Sequence, residues 1–189
     1  DNSVRLDADT LHNDLAGMQV FYLSINADSG KDFKDPRWLR KIDKIQNVMR
    51  QQGAYDKVTS IADYLKLVNQ EMNQGNKAFY VMPNTRALAE QYLLLFARPD
   101  VERFINADAT RANLMVRHNI SNSYELKEYL DDLRGKIAAI LGPKTTYHIT
   151  SKNILINNGA ETMIKSQSTS IILLVAIIFV LMCLLYTSF

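Results

Sequence analysis

Apolar and polar positions alternate from Met18 to Ile25 (MQVFYLSI), placing Phe21, Leu23 and Ile25 on one face of an extended segment. Its β-branched and aromatic content suits a strand. After the Ala27-Asp28-Ser29-Gly30 turn the period changes: Trp38, Ile42, Ile45 and Met49 recur at helical spacing, which gives a helix one apolar face. Asp35 and Pro36 form its entry, an N-cap acceptor followed by a residue whose missing N–H is no loss there. Gly53 supplies the stop, and Lys57-Val58-Thr59 reads as a short strand.

Two helices are inserted next. Ser60 with Asp63 caps Ile61 to Met72, and Thr85 opens Arg86 to Ala97, which carries Leu88, Tyr92, Leu95 and Phe96. Gln74-Gly75-Asn76 and Arg98-Pro99-Asp100 break the pattern. Packing on the sheet is the expected use of the insertion's apolar residues. The alternative is a greasy cleft, and exposure distinguishes the two. Glu102 to Asn106 and Asn113 to Ile120 then read as a hairpin around Ala107-Asp108-Ala109-Thr110, with Leu114, Val116 and His118 on a common face. Asn122 and Ser123 cap a helix whose stripe is Leu126, Leu130, Leu133, Ile137 and Ile140, and Gly142-Pro143 ends it. Thr145 to Thr150 is the last strand. The order strand, helix, strand, insertion, strand, helix, strand fits an α+β, ferredoxin-like split βαβ domain with a two-helix insertion.

From Ile171 to Tyr186 the chain runs IILLVAIIFVLMCLLY without a charge. With Ser170 and Thr187 to Phe189 it reaches the roughly 20 residues of a bilayer-spanning helix. A buried core helix would be shorter or carry a polar stripe, and this segment has none. Only Gly159 interrupts the approach to it, a residue that a helix tolerates at about 1 kcal/mol, so the helix is expected to run from Lys152 into lipid. The organisation expected is a domain over 1–150, a connecting helix over 151–169 and a transmembrane helix over 170–189.

Composition narrows the partners. The 22 Lys and Arg nearly balance the 20 Asp and Glu, for a net charge of +2 over 189 residues, and the signs are interspersed. No basic stripe points to nucleic acid and no polybasic cluster to anionic lipid. The single cysteine, Cys183, lies inside the apolar run, so the body is expected to fold without a disulfide. Asp1 to Asp9 is acidic and polar, unlike a secretory signal. Two expectations follow: a cytosolic, tail-anchored body, or a piece of a longer protein whose preceding helix lies elsewhere. The absence of basic residues after Tyr186 favours the second.

Little in the chain suggests catalysis. His12, His118 and His148 have no second ligand at metal spacing, so zinc would require His118 and His148 to meet across neighbouring strands. No Gly-rich phosphate loop, no G-x-S-x-G and no cysteine outside the apolar run is present. Asp7, Asp9, Asp28, Asp32 and Asp35 lack calcium-loop spacing and read as turns and caps. Asn119-Ile120-Ser121 reads as an accidental sequon, and Lys165 as an interfacial anchor whose stem snorkels. No enzyme activity, catalytic residue, cofactor site or metal site is expected.

Several stretches together resemble a known family. They are Lys34-Asp35-Pro36 followed by Leu39-Arg40-Lys41-Ile42-Asp43, then Val58 to Lys66 (VTSIADYLK), Ala112 to His118, and Tyr147-His148-Ile149-Thr150 leading through a polar helix into the apolar span. This wording and order resemble the extracytoplasmic porter domain of RND-superfamily exporters, in the MMPL branch. The resemblance implies a polytopic, proton-driven exporter of lipids or other hydrophobic molecules in the cell inner membrane. The soluble domain would lie on the periplasmic side and form part of the substrate path, and Ser170 to Phe189 would begin the second transmembrane helix. Implied partners are the bilayer, a hydrophobic substrate and the remaining membrane helices, with homo-oligomerisation left open. The competing readings are a single-pass, membrane-anchored interaction or sensor module and, third, a membrane-bound enzyme.

Overall fold

The computed structural model describes Gly17 and residues 19–187. Strand β1 (Gln19–Asn26), helix α1 (Pro36–Gln52), strand β2 (Lys57–Thr59) and helix α2 (Ile61–Met72) come first. A short 3-10 turn (Lys77–Phe79) and helices α3 (Arg86–Leu93) and α4 (Arg98–Glu102) complete the insertion. Strand β3 (Arg111–His118), helix α5 (Ser123–Leu141), strand β4 (Tyr147–Thr150) and helix α6 (Lys152–Thr187) follow. Met18, the expected first residue of β1, lies outside the described residues. The chain is thus mixed α+β, and it divides into two compact units between Ser151 and Lys152.

The first unit is built on one antiparallel sheet in the order β2-β3-β1-β4. All eight residues of β1 pair with β3, so Phe21 faces Val116, Leu23 faces Leu114 and Ile25 faces Ala112. The register is fixed because a one-residue slip would turn every one of these side chains out of the core. The connection from β1 to β2 carries α1 and passes β3; the connection from β3 to β4 carries α5 and passes β1. Residues Trp38, Leu39, Ile42, Ile45 and Met49 of α1 and Leu126, Leu130, Leu133, Ile137 and Leu141 of α5 are buried with the apolar sheet face. Each such burial contributes about 1.5–3 kcal/mol before entropy is counted.

Helix ends follow their capping residues. Asp35 Oδ1 accepts the Arg37 N–H at 2.8 Å, and the guanidinium of Arg37 beside it holds the Asp35 carboxyl down at about 2. Ser60 and Asp63 form a reciprocal capping box at the start of α2. Asn122 accepts the Tyr124 N–H at the start of α5.

Several local expectations change, among them two strand bounds: β3 runs Arg111–His118 where Asn113 to Ile120 was expected, and β4 begins at Tyr147 and not at Thr145. Glu102–Asn106 is not a strand: Glu102 closes α4, and only Ile105 makes a bridge to Ala112. The return around Ala107–Thr110 exists nonetheless, with Asn106 N–H donating to the Arg111 carbonyl and Asn113 N–H to the Phe104 carbonyl. Arg98-Pro99-Asp100 opens α4 instead of breaking the chain, because proline is tolerated in a first helical turn. Helix α3 ends at Leu93, short of Ala97. In α5 the last buried residue is Leu141, and Ile140 is half-buried.

Helix α6 is continuous over 36 residues. Its stretch Ser166–Leu184 has a mean hydropathy of 2.5, is 19 residues long and has none of its residues buried. By length and composition it is able to cross a membrane. The expected span began four residues later, at Ser170, and its last two residues lie outside the described ones, as does the side chain of Lys165.

Gly53 ends α1 with φ of +70°, and no atom lies within 4 Å of where a Cβ would sit. The only penalty of Gly53→Ala is therefore the left-handed backbone, about 1–2 kcal/mol. Denaturant unfolding of the variant should show a loss of that size with an unchanged slope.

Candidate functional site

The insertion between β2 and β3 is fastened to the sheet by a buried polar seam. Gln46, fully buried on α1, donates from Nε2 to the Val58 carbonyl at 3.0 Å and to Asp63 Oδ2, and its Oε1 accepts the Ser60 hydroxyl. Arg50 Nη2 adds bonds to the Val58 carbonyl and to Asp63 Oδ1, both 2.9 Å. Both carboxylate oxygens of Asp63 are thus engaged, since Oδ2 also accepts the Ser60 N–H.

Farther along α2, two buried polar side chains hold the 77–81 segment as a strap. Asn69 donates to the carbonyls of Phe79 and Val81 at 2.9 and 3.1 Å and accepts the Tyr92 hydroxyl at 2.8 Å. Lys66 pairs with Asp43 at 2.6 Å, and its ammonium lies 5.1 Å from the Tyr80 ring centre. The strap follows a turn in which Gln74 takes φ of +61°, a conformation that disfavours a side chain.

Exposure divides the insertion's apolar residues between the two expected uses. Ile61, Ala62, Leu65, Ala89 and Tyr92 are buried. Leu67, Met72, Phe79, Tyr80, Val81, Leu94 and Leu95 are exposed, Leu94 to 83%. Packing on the body is therefore true of one set, and an open apolar surface of the other. Two clefts border it. The first, of about 510 Å³, lies beside the edge strand β2 under Tyr64, Leu67 and Tyr80, with Arg50 and Lys57 among its walls. The second, of about 560 Å³, lies between Leu93, Leu94, Phe96 and the Ile105–Ala109 turn. Both volumes fall in the usual range for small-molecule sites.

The one arrangement that could have joined two histidines at a metal does not occur. Strand β1 lies between the strands of His118 and His148, and His118 pairs with Gln19 whereas His148 pairs with Ser24. His118 is buried and His148 exposed, so the sheet does not bring them together. Among the described residues no group of three His, Cys, Asp or Glu is placed to hold a metal ion. His12, Asp7 and Asp9 lie outside the described residues. Asp28 accepts the Thr145 hydroxyl at 2.8 Å, Asp32 binds Arg86 at 2.7 Å and the Lys34 N–H, and Asp35 caps α1.

His118 is held tightly. Its ring lies 5.7 Å from that of Phe21, and its Nδ1 has no hydrogen-bond partner among the described residues. Tyr55, whose ring lies 5.4 Å from Phe21, is likewise buried, and its hydroxyl has no partner among the described residues. Burial pushes the His118 pKa down, opposed by the nearby Asp56 carboxylate, and burial raises that of Tyr55. Gly17 closes this corner at φ of +66°, where a Cβ would approach the His118 backbone nitrogen to 2.7 Å. Sequence reading placed His118 on the correct face but carried no signal for Gly17 or for the seam at Gln46.

No protein-family model matches the chain, and no curated protein matches it in sequence.

Two outcomes follow from this geometry. Asn69→Ala removes four side-chain bonds at one buried site, those to Phe79 and Val81 and those from Tyr92 and Asn73; amide exchange at residues 79–81 should accelerate, and stability should fall by about 2–3 kcal/mol. Because His118 is buried neutral, the unfolded chain binds its proton more readily, so stability is full above the ordinary value of 6.5 and declines as pH falls below it. His118→Leu should flatten that part of the stability–pH curve in thermal melts.

Proposed function

We propose that the chain is the porter-like domain and the following membrane helix of a proton-driven exporter of RND or MMPL type, whose cargo is a lipid or another hydrophobic molecule. The observation that carries this reading is the strand order β2-β3-β1-β4 with one helix on each crossover, followed after Ser151 alone by a helix apolar enough to span a bilayer. That order is the one a ferredoxin-like split βαβ domain requires. The exposed apolar residues of the insertion and the two clefts beside them support a substrate path.

The domain sits on the extracytoplasmic side of the inner membrane and contributes shape, not bond chemistry. The Ser166–Leu184 stretch has no ionisable carboxylate, so the proton relay belongs to other membrane helices of the transporter, where intramembrane acidic groups are the expected carriers. In this reading, movement of the domain is passed to the membrane through the helix that begins at Lys152.

In the host membrane, protease added to right-side-out vesicles should cleave residues of the body, and inverted vesicles should protect them. A short Gly-Ser segment inserted at Gly159 should abolish export of a hydrophobic dye while leaving the body's protease pattern intact. Cleavage only in inverted vesicles would replace the exporter by a tail-anchored module, and undiminished export would remove the rigid coupling.

A further inference from the structure

The two margins of the sheet are finished differently. On β2 the Val58 carbonyl is filled by the side chains of Gln46 and Arg50, at 3.0 and 2.9 Å, which blocks that margin to an added strand. The β4 margin has no such plug. Asn26 N–H donates to the Thr146 carbonyl at 3.0 Å, and in an antiparallel ladder hydrogen-bonded pairs alternate with non-hydrogen-bonded ones. By the register, His148 and Thr150 therefore bond to β1 opposite Ser24 and Tyr22, whereas Tyr147 and Ile149 turn their N–H and C=O groups away from it. Among the described residues none of these four outward groups has a hydrogen-bond partner.

The outward groups are complementary to themselves. When two β4 strands run antiparallel about a two-fold axis at His148, Tyr147 of each copy lies opposite Ile149 of the other, and all the outward N–H and C=O groups of both strands are matched. A shift of one residue sets outward groups against inward ones, and a shift of two keeps only one of the two pairs, so a single register is favoured. Nothing in the helix above this margin opposes the pairing. The Tyr147 hydroxyl donates to the Arg134 carbonyl at 3.2 Å, which places α5 over β4. On that flank Arg134 is ion-paired with Asp131, and Ala138 is exposed one turn on. A copy meeting itself there meets mixed charge and a small side chain, not a block of one sign.

We propose that two copies of the chain join at this margin, β4 to β4, in an antiparallel pair that carries one sheet through both bodies. The partner is a second copy because the spacing of Tyr147 and Ile149 fits its own reverse, the requirement of an isologous interface. The assembly closes at two: once β4 is paired, the margins left are the β2 strands, both plugged at Val58. So short a ladder makes a small interface, and copies gathered in one bilayer by α6 reach the local concentration it needs. The pairing does not depend on what the protein transports.

The test uses the full chain, purified in detergent, with Cys183→Ser removing the native thiol. His148 is exposed, so His148→Cys should leave the fold unaffected. It places a thiol on the two-fold axis, where opposed residues of a non-hydrogen-bonded pair have Cα atoms about 4.5 Å apart, within disulfide reach. Mild oxidation should give a disulfide dimer of twice the chain mass as the main product. Thr150→Cys lies roughly 13 Å along the strand from its own counterpart and should give about tenfold less dimer. Ile149→Pro removes an outward N–H that β1 does not use, and combined with His148→Cys should lower the dimer yield about fivefold. Tyr147→Pro removes the other outward N–H and serves if the Ile149 variant melts early. A His148→Cys chain that stays monomeric, equal yields from His148→Cys and Thr150→Cys, or a yield that the prolines leave unchanged would overturn the proposal. The vesicle-sidedness experiment reports separately on the exporter reading.

Discussion

The described architecture depends most on Gln46. A fully buried amide has four hydrogen-bonding positions to fill, and leaving one empty costs about 1–3 kcal/mol. Here the amide spans three elements at once, binding the carbonyl of β2 at Val58 and both partners of the capping box that opens α2. Helix α1 is itself seated by its apolar stripe on the sheet. The direction in which α2 leaves β2 is therefore set from inside the core. Everything the insertion presents follows from that direction: the position of Lys66 and Asn69, the strap they hold, and the mouth of the cleft beneath Tyr80.

Polar groups do unusual work in this insertion because the apolar surface is shared between two uses. Residues such as Leu65 and Tyr92 bind the segment to the body, while Leu67, Leu94 and Leu95 remain uncovered. A layer that kept all its apolar side chains inward would need no buried lysine or asparagine. Burying such groups gives little net stability compared with an apolar core, but it fixes one geometry, since a strap held by directed bonds cannot slide as a greasy one can.

Much of the fold was legible in the sequence, for local reasons. The alternation of Phe21, Leu23 and Ile25, the helical recurrence from Trp38 to Met49, and the caps at Asp35, Ser60, Asn122, Gly53 and Gly142 are short-range signals, and the structure uses all of them. What was hidden depends on partners far away in the chain. Glu102 to Asn106 has strand-like residues, yet β2 already occupies part of that edge of β3 and only Ile105 finds a bridge. The separation of His118 from His148 follows from β1 lying between their strands, which no spacing in the sequence reveals. The exposure of Leu95 is decided by what packs around it, and the burial of Gln46 by hydrogen-bond partners on β2 and α2 that lie outside its own helix. Gly17 gave no signal because its role is to leave room for the backbone of β3.

Strand β4 has a mechanical consequence. It sits at the margin of the described sheet and is only four residues long, aligned from Tyr22 opposite Thr150 to Ile25 opposite Tyr147, with β1 as its ladder partner among the described residues. Any force entering the body through Lys152 must be borne first by that narrow ladder, by the Tyr147 hydroxyl donating to the Arg134 carbonyl at 3.2 Å, and by Ser151, which is buried. The seam at Gln46, on the opposite margin, is spared. Under load the body would thus yield by peeling its last strand, a fuse placed where detachment leaves the α1–α5 core intact.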